Sequence, residues 1–163
     1  MITRNNIFSF DVLGYGQEGF AMSDDQKDFY SWTREQAELL RSGRFDELDI
    51  ANLIDEIETL GRSEKRELEN RLTVLLVYLL KWRYQPARRG QNWQLTIQEQ
   101  RLEFFDVLND NPGLKSQLQA LLAHSYQKAK IRASKETGLD TDDFPRTCPW
   151  EFAQLMDEAF LPD

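Results

Sequence analysis

The sequence has little of the chemistry on which secreted, membrane-spanning and metal-binding proteins depend. Cys148 is the only cysteine among 163 residues, so no disulfide can form within the chain and nothing points to an oxidising compartment. His124 is the only histidine, so the paired Glu-x-x-His motifs of di-iron helix bundles are absent. The most apolar run, Leu72–Leu80, has nine residues, well short of the roughly 18 that can span a bilayer. We therefore expect a cytoplasmic protein with no transmembrane segment and no cofactor.

The amino-terminal stretch also lacks the continuous apolar core of a secretory signal peptide, because charged residues such as Asp11 and Glu18 interrupt it. Its glycines and its lack of a helical period predict that residues 1–22 are a disordered extension or an upstream mis-start, with Met22 as the true start. Residues 23–163 are then expected to form a single helical domain.

The charge balance argues against two classes of partner. The chain carries 28 carboxylates and 20 Lys and Arg, a net charge of −8, which repels both nucleic acid and anionic membranes. A content of 40% apolar residues is enough to bury a core. Only a local basic patch could reverse the expected repulsion.

Helical periodicity dominates the rest of the chain, and no stretch alternates long enough to predict a strand. The third predicted helix is apolar nearly all round in its second half, which is typical of a helix enclosed by its neighbours. The sequence thus predicts an all-α, single-domain bundle of five to six helices around a central buried third helix. The predicted helices cover about residues 24–41 after a capping box at Ser23, 46 or 49 to 60 with a stop at Gly61, 63–84, 92–109, 112–137, and a short segment from Pro149.

A group of carboxylates is the first candidate site. Asp55 and Glu58 on the second predicted helix, and Glu64 at the start of the third, could hold Mg²⁺ or Mn²⁺ across a short turn. In the alternative interpretation, Ile54 and Ile57 mark the buried stripe, and the carboxylates pair with nearby basic residues on a solvated face. We favour the solvated face and expect no metal site.

A basic, tryptophan-containing stretch over residues 79–101 is the second candidate, and it reverses the chain's negative charge locally. Capping of a helix end and burial of the tryptophans explain part of it. In this plain interpretation, which we favour, the arginines pair with acidic neighbours from the first or second helix. The same residues could instead form a platform for an anion or an acidic partner. The candidate binding residues are Lys81, Trp82, Arg83, Arg88, Arg89 and Arg101.

Two single residues also carry potential chemistry. His124 lies beside the apolar stripe of its helix, where a hydrogen-bonded, partly exposed side chain is the default. Cys148 precedes Pro149 and could act as a nucleophile only if a helix amino terminus or a positive charge lowered the pKa of its thiol. A buried, inert thiol is the simpler expectation.

The sequence "DFYSWTREQAELLRSGRFDELDIANLIDEIETLGRSEKREL", followed by "LLKWRYQP" and "NWQLTIQEQR", resembles the bacterial domain-of-unknown-function 29 family. The resemblance extends over about residues 23–160 and includes the "CPW" segment at Cys148. It implies an all-helical fold and no established activity. Members of that family often have a histidine just before "LLKW", where this chain has Tyr78, so a metal-ligand role for that position does not carry over.

Two hypotheses of function follow, and whether the chain is an enzyme stays open. The preferred one is a helical protein-interaction module that binds an acidic partner through residues 81–101. The alternative is a metal-assisted hydrolase or nuclease in which Asp55, Glu58 and Glu64 hold the metal and Arg88 or Arg89 receives a phosphate. Binding of single-stranded nucleic acid is a weaker third possibility.

Overall fold

The computed structural model of the chain describes residues 28–163. These residues contain no strand, so the predicted all-α fold is confirmed. Short 3-10 turns connect most of the helices. The helices are α1 (Phe29–Arg41), α2 (Ile50–Tyr84), α3 (Gln91–Asp110), α4 (Leu118–Thr137) and α5 (Phe152–Met156).

Helix α1 begins later than the sequence predicts. Asp28 is its N-cap, and the Asp28 carboxylate accepts a hydrogen bond from the backbone N–H of Ser31 at 2.9 Å. An Asp at this position satisfies one of the free N–H groups of the first turn. The predicted capping box at Ser23 and the predictions for residues 1–22 lie outside the described residues.

The prediction of two separate helices on either side of Gly61 was wrong. Helix α2 runs for 35 residues through Gly61 without interruption. Left-handed φ angles occur at Gly43 and Gly138 but not at Gly61, so Gly61 does not form a C-cap. A glycine inside a helix costs only about 1 kcal/mol relative to alanine, and the Glu58–Arg62 ion pair at 3.3 Å bridges this position.

The two halves of α2 differ sharply in exposure. Its second half is buried from Leu68 to Trp82 on most faces, which confirms the prediction of a central apolar helix. Ile54 and Ile57 in its first half were expected to be buried, but they are 51% and 66% exposed. Periodicity identified the apolar stripe correctly, but it did not show that the first half of the stripe is exposed.

The chain divides into two compact units, Met1–Glu56 and Ile57–Asp163. In the first unit, the indole N–H of Trp32 donates to Asp49 at 3.3 Å, and the backbone N–H of Asp49 donates to the Gln36 side chain at 2.9 Å. The proposed single domain over residues 23–163 stays a prediction. The second unit has a core drawn from α2, α3, α4 and α5, whose fully buried members include Leu72, Leu76, Leu80, Ile97, Phe104, Tyr126 and Leu155.

Three helix starts differ from prediction by small amounts. Helix α3 begins at Gln91 after Gly90 rather than after Asn92. A 3-10 turn, Pro112–Gln117, precedes α4, because only the later residues have α-helical geometry. Helix α5 starts at Phe152, where Glu151 and Gln154 form a reciprocal capping box.

Arg101 fixes the segment that follows α5. Its side chain is 2% exposed, and its guanidinium donates to three backbone carbonyls. Nε bonds Leu155 O at 2.8 Å, Nη1 bonds Glu158 O at 3.1 Å and Nη2 bonds Phe160 O at 2.7 Å. One buried side chain therefore satisfies a carbonyl in the last turn of the five-residue helix α5 and two carbonyls in the segment after it.

Candidate functional site: the arginine end of helix α2

The carboxyl end of α2 is shaped by a proline. Gln85 leaves the helix with its N–H still bonded to Lys81 O at 2.9 Å, and Pro86 opens a 3-10 turn that ends at Arg88. Proline cannot continue an α-helix because it lacks the N–H and its ring clashes with the preceding turn. Three exposed arginines lie in the last turn of α2 and in or just after the 3-10 turn. We call them the arginine end: Arg83, Arg88 and Arg89.

Lys81 belongs to the same stretch but faces inward. Its ammonium lies 2.7 Å from the carboxylate of Glu136 on α4. The ammonium also lies 4.3 Å from the ring centre of Tyr78 and 4.9 Å from that of Trp93. Because these groups already surround and neutralise Lys81, its charge is committed within the protein.

The two tryptophans are packing residues. Trp82 is 8% exposed and belongs to the buried core. Trp93 meets the ring of Tyr78 edge to face at 6.5 Å. Trp82 is therefore a core residue, and Trp93 is half-buried against Tyr78 and Lys81.

Arg89 has a structural role as well as an exposed head. Its Nε donates to Trp82 O at 2.8 Å, a carbonyl in the last turn of α2. Its guanidinium carbon also lies 5.4 Å from the Trp82 ring centre. Arg89 therefore caps the helix and covers a buried indole.

Arg83 and Arg88 are less engaged. The guanidinium of Arg83 lies 5.7 Å from the ring centre of Tyr84, and no carboxylate of residues 28–163 lies within 4 Å of it. The backbone N–H of Arg88 donates to Gln85 O at 2.9 Å, but its side chain makes no hydrogen bond or ion pair with any residue that the structure describes. An exposed guanidinium group without a described side-chain partner can bind a carboxylate or phosphate in bidentate fashion.

Arg101 does not join the arginine end, because its donors are used on the three carbonyls described above. Burial lowers the pKa of Arg101 and outweighs the nearby negative charges of Asp157 and Glu158, which act to raise it. Of the six predicted binding residues, Arg83, Arg88 and Arg89 are exposed, whereas Lys81, Trp82 and Arg101 are buried.

Comparison with known families agrees with the sequence resemblance. The model of the family described as domain of unknown function DUF29 matches residues 26–161. The chain belongs to the DUF29 family. No curated protein and no solved structure matches the chain.

Within the described part of the DUF29 domain, no three His, Cys, Asp or Glu side chains are grouped so that they could hold a metal ion. Glu58 is paired with Arg62, and the Glu64 carboxylate accepts a hydrogen bond from the Asn111 side chain at 2.9 Å. Because α2 is continuous, Glu64 stands about 9 Å along the helix axis from Glu58. The predicted turn that would have brought Asp55 and Glu64 together is absent.

Cys148 lies in a cavity of about 670 Å³ between α4 and the segment before α5. Its thiol donates to Trp150 O at 3.4 Å, and burial raises the pKa of the thiol. The phenol of Tyr126 in the same cavity donates to Pro145 O at 3.0 Å. A raised pKa disfavours the nucleophilic thiolate, and the expectation of an inert thiol stays a prediction.

His124 is exposed, as expected, and it has a partner that the sequence did not indicate. Its Nε2 lies 3.3 Å from the carboxylate of Glu69 on α2, which also pairs with Lys128. The side chain of Ser125 donates to Glu69 O at 3.4 Å. These contacts join α2 to α4 across more than 50 positions of sequence, and no local pattern could have predicted them.

None of the described helices has both the length and the apolar character needed to cross a membrane.

Proposed function

We propose that this DUF29 domain is a helical protein-interaction module of the cytoplasm, and that its arginine end binds an acidic segment of a partner protein. The observation that carries the proposal is the exposure of Arg83 and Arg88. Neither has a carboxylate partner among residues 28–163, although the chain carries eight more acidic than basic residues.

The local contrast with Lys81 supports this interpretation. Lys81 lies two residues before Arg83, and its ammonium forms an ion pair with the carboxylate of Glu136 at 2.7 Å. Carboxylates are abundant in this chain, yet those of the described residues do not cover Arg83 or Arg88. Exposed arginines near aromatic side chains are enriched at protein interfaces, and the Tyr84 and Trp82 rings support two of the three guanidinium groups.

A protein partner fits better than a nucleic acid. A long polyphosphate would experience the field of the whole domain, whose net charge is −8. A short acidic segment contacts only the local positive surface. The burial of Trp82 also removes the base-stacking contribution on which single-strand binders depend.

The test is affinity capture of partners from the source cells, followed by mass spectrometry, with three forms of the full chain. Arg83→Glu/Arg88→Glu reverses the arginine end, while Arg89 is kept because of its bond to Trp82 O. Arg34→Glu/Arg132→Glu is the matched control, with the same change of net charge at two exposed arginines elsewhere. We expect acid-rich partners to be lost with the first variant and retained with the control. An unchanged set of partners with Arg83→Glu/Arg88→Glu would contradict the proposal.

A further inference from the structure

The cavity beside Cys148 has the form of a binding pocket, and we call it the Cys148 cavity. The buried side chains of Leu122, Tyr126 and Trp150 line it, together with exposed residues of α4, of the segment before α5 and of α5 itself. The exposed polar residues that line it are Gln119, Gln127, Thr147 and Glu151. Its volume of about 670 Å³ lies within the roughly 300–1,000 Å³ that is usual for ligand pockets. Buried apolar groups beside an exposed polar rim are also the surroundings of an anchor residue at a protein interface.

The arginine end borders this cavity through a short chain of contacts. The Arg83 guanidinium lies 5.7 Å from the ring centre of Tyr84, and the Tyr84 ring meets the Phe144 ring edge to face at 5.0 Å. Phe144 precedes Pro145, whose carbonyl accepts a hydrogen bond at 3.0 Å from the Tyr126 phenol in the cavity. Burial raises the pKa of that phenol, and the positive charge of Arg83 opposes the rise. The charge of Arg83 therefore reaches the Cys148 cavity.

A second exposed arginine lies next to the cavity. The Gln127 side chain donates to Arg146 O at 3.0 Å, which places residue 146 beside the rim. The Arg146 side chain is exposed and makes no hydrogen bond or ion pair with a residue that the structure describes. Among the described residues that line the cavity, Glu151 alone is acidic, and its carboxylate accepts the backbone N–H of Gln154 in the capping box of α5. Two exposed guanidinium groups beside one carboxylate that already caps a helix favour an occupant with negative charge.

We propose that the Cys148 cavity holds one aromatic side chain of the same acidic segment that the arginine end binds. The rings of Tyr126, Trp150 and Phe152 line the cavity, and aromatic rings pair favourably with one another. The carboxylates of the segment bind Arg83 and Arg146, and the aromatic residue anchors the segment between α4 and α5. This inference rests on the proposed function, and it adds a feature of the partner that charge alone does not require.

Calorimetric titration of the full chain with three short peptides tests the proposal. Each peptide consists of glutamate and serine around one central residue, which is phenylalanine, leucine or alanine. We expect the phenylalanine peptide to bind about tenfold more tightly than the alanine peptide, with the leucine peptide between them. The phenylalanine peptide should also slow the alkylation of Cys148 by iodoacetamide, because the thiol lies in the same cavity, whereas the alanine peptide should not.

Two exposed alanines of α4 provide a matched pair of variants. Ala123 lines the cavity and Ala120 does not, so Ala123→Phe occupies the space that the anchor needs and Ala120→Phe alters only the neighbouring surface. We expect Ala123→Phe to lower the affinity for the phenylalanine peptide to that for the alanine peptide, and Ala120→Phe to leave it unchanged. Circular dichroism checks that both variants are folded.

The outcomes separate this inference from the proposed function. Equal affinities of the three peptides, with binding lost in Arg83→Glu/Arg88→Glu, would overturn the aromatic anchor and leave the arginine end supported. A leucine peptide that binds as tightly as the phenylalanine peptide would overturn the aromatic character of the anchor. Binding of the phenylalanine peptide that is unchanged in folded Ala123→Phe would overturn the cavity as its site. The absence of binding by any peptide at low salt would contradict both proposals.

Discussion

Arg101 gives the most quantitative prediction, because its contacts are numerous and specific. Replacement by methionine keeps much of the aliphatic volume and removes the three hydrogen bonds to Leu155 O, Glu158 O and Phe160 O. A hydrogen bond to a charged group contributes about 1.5–3 kcal/mol net. The simple sum would be about 4.5–9 kcal/mol, but the carboxyl-terminal segment can move and hydrate its carbonyls.

We therefore expect Arg101→Met to lower the free energy of unfolding by about 3–5 kcal/mol. This is a large part of the 5–15 kcal/mol available to a typical domain. Arg101→Lys keeps the positive charge but cannot reach three carbonyls with the same geometry, so its loss should be smaller, at about 2 kcal/mol. Methionine should therefore destabilise the fold more than lysine does, because lysine keeps the positive charge and lacks only the fork shape of the guanidinium.

Urea unfolding of the full chain, followed by tryptophan fluorescence, measures these losses. Hydrogen exchange of residues 155–160 should also become faster in Arg101→Met, because the segment loses its attachment to α3. Arg88→Met is the control, since the Arg88 side chain is exposed and makes no hydrogen bond or ion pair with a described residue, and its effect should lie within about 0.5 kcal/mol. A loss below about 1 kcal/mol for Arg101→Met, with unchanged exchange, would refute the account of the carboxyl-terminal segment.

Three further predictions concern local features. Gly61→Ala should raise the free energy of unfolding by about 0.5–1 kcal/mol, whereas Gly138→Ala, at a φ of 77°, should lower it by about 1 kcal/mol; equal signs in thermal melts would contradict this. Alkylation of Cys148 by iodoacetamide at pH 8 should be slower in the folded chain than in urea, because burial raises the pKa of its thiol and restricts access to it, and equal rates would argue against a buried thiol. Glu136→Gln should lower the free energy of unfolding by about 1–2 kcal/mol, because it leaves the nearly buried Lys81 ammonium without its counter-charge; chemical denaturation that gives no loss would show that the aromatic rings alone suffice.

Sequence patterns predicted the parts of the fold that depend on local order. The leucines of α2 from Leu68 to Leu80 repeat at helical spacing, and they are buried as expected. The stop at Pro86 and the left-handed end at Gly138 were also predictable, because each follows from the backbone of one residue. Gly61 misled the prediction because glycine weakens a helix without necessarily ending it.

The site could be predicted only in part, because the exposure of a side chain depends on which parts of the folded chain pack against it. Arg83, Arg88 and Arg89 are close in sequence, so their clustering was visible before the structure. The buried roles of Lys81 and Arg101 depend on partners 55 and 54 to 59 positions away, and no local pattern reports such distances. The exposure of Ile54 and Ile57 was not predicted for a related reason, since an apolar stripe does not reveal whether another part of the chain packs against it.

The most direct test of the arginine end uses nuclear magnetic resonance of the arginine side chains. A short glutamate-rich peptide, titrated at low salt into the full chain labelled with ¹⁵N, should shift the Nε–Hε signals of Arg83 and Arg88 and release them as salt is added. The buried Arg101 is an internal control whose signal should not move. Shifts of equal size at Arg34 and Arg132, or no shift at Arg83 and Arg88, would contradict the proposal that this end of α2 binds an acidic partner.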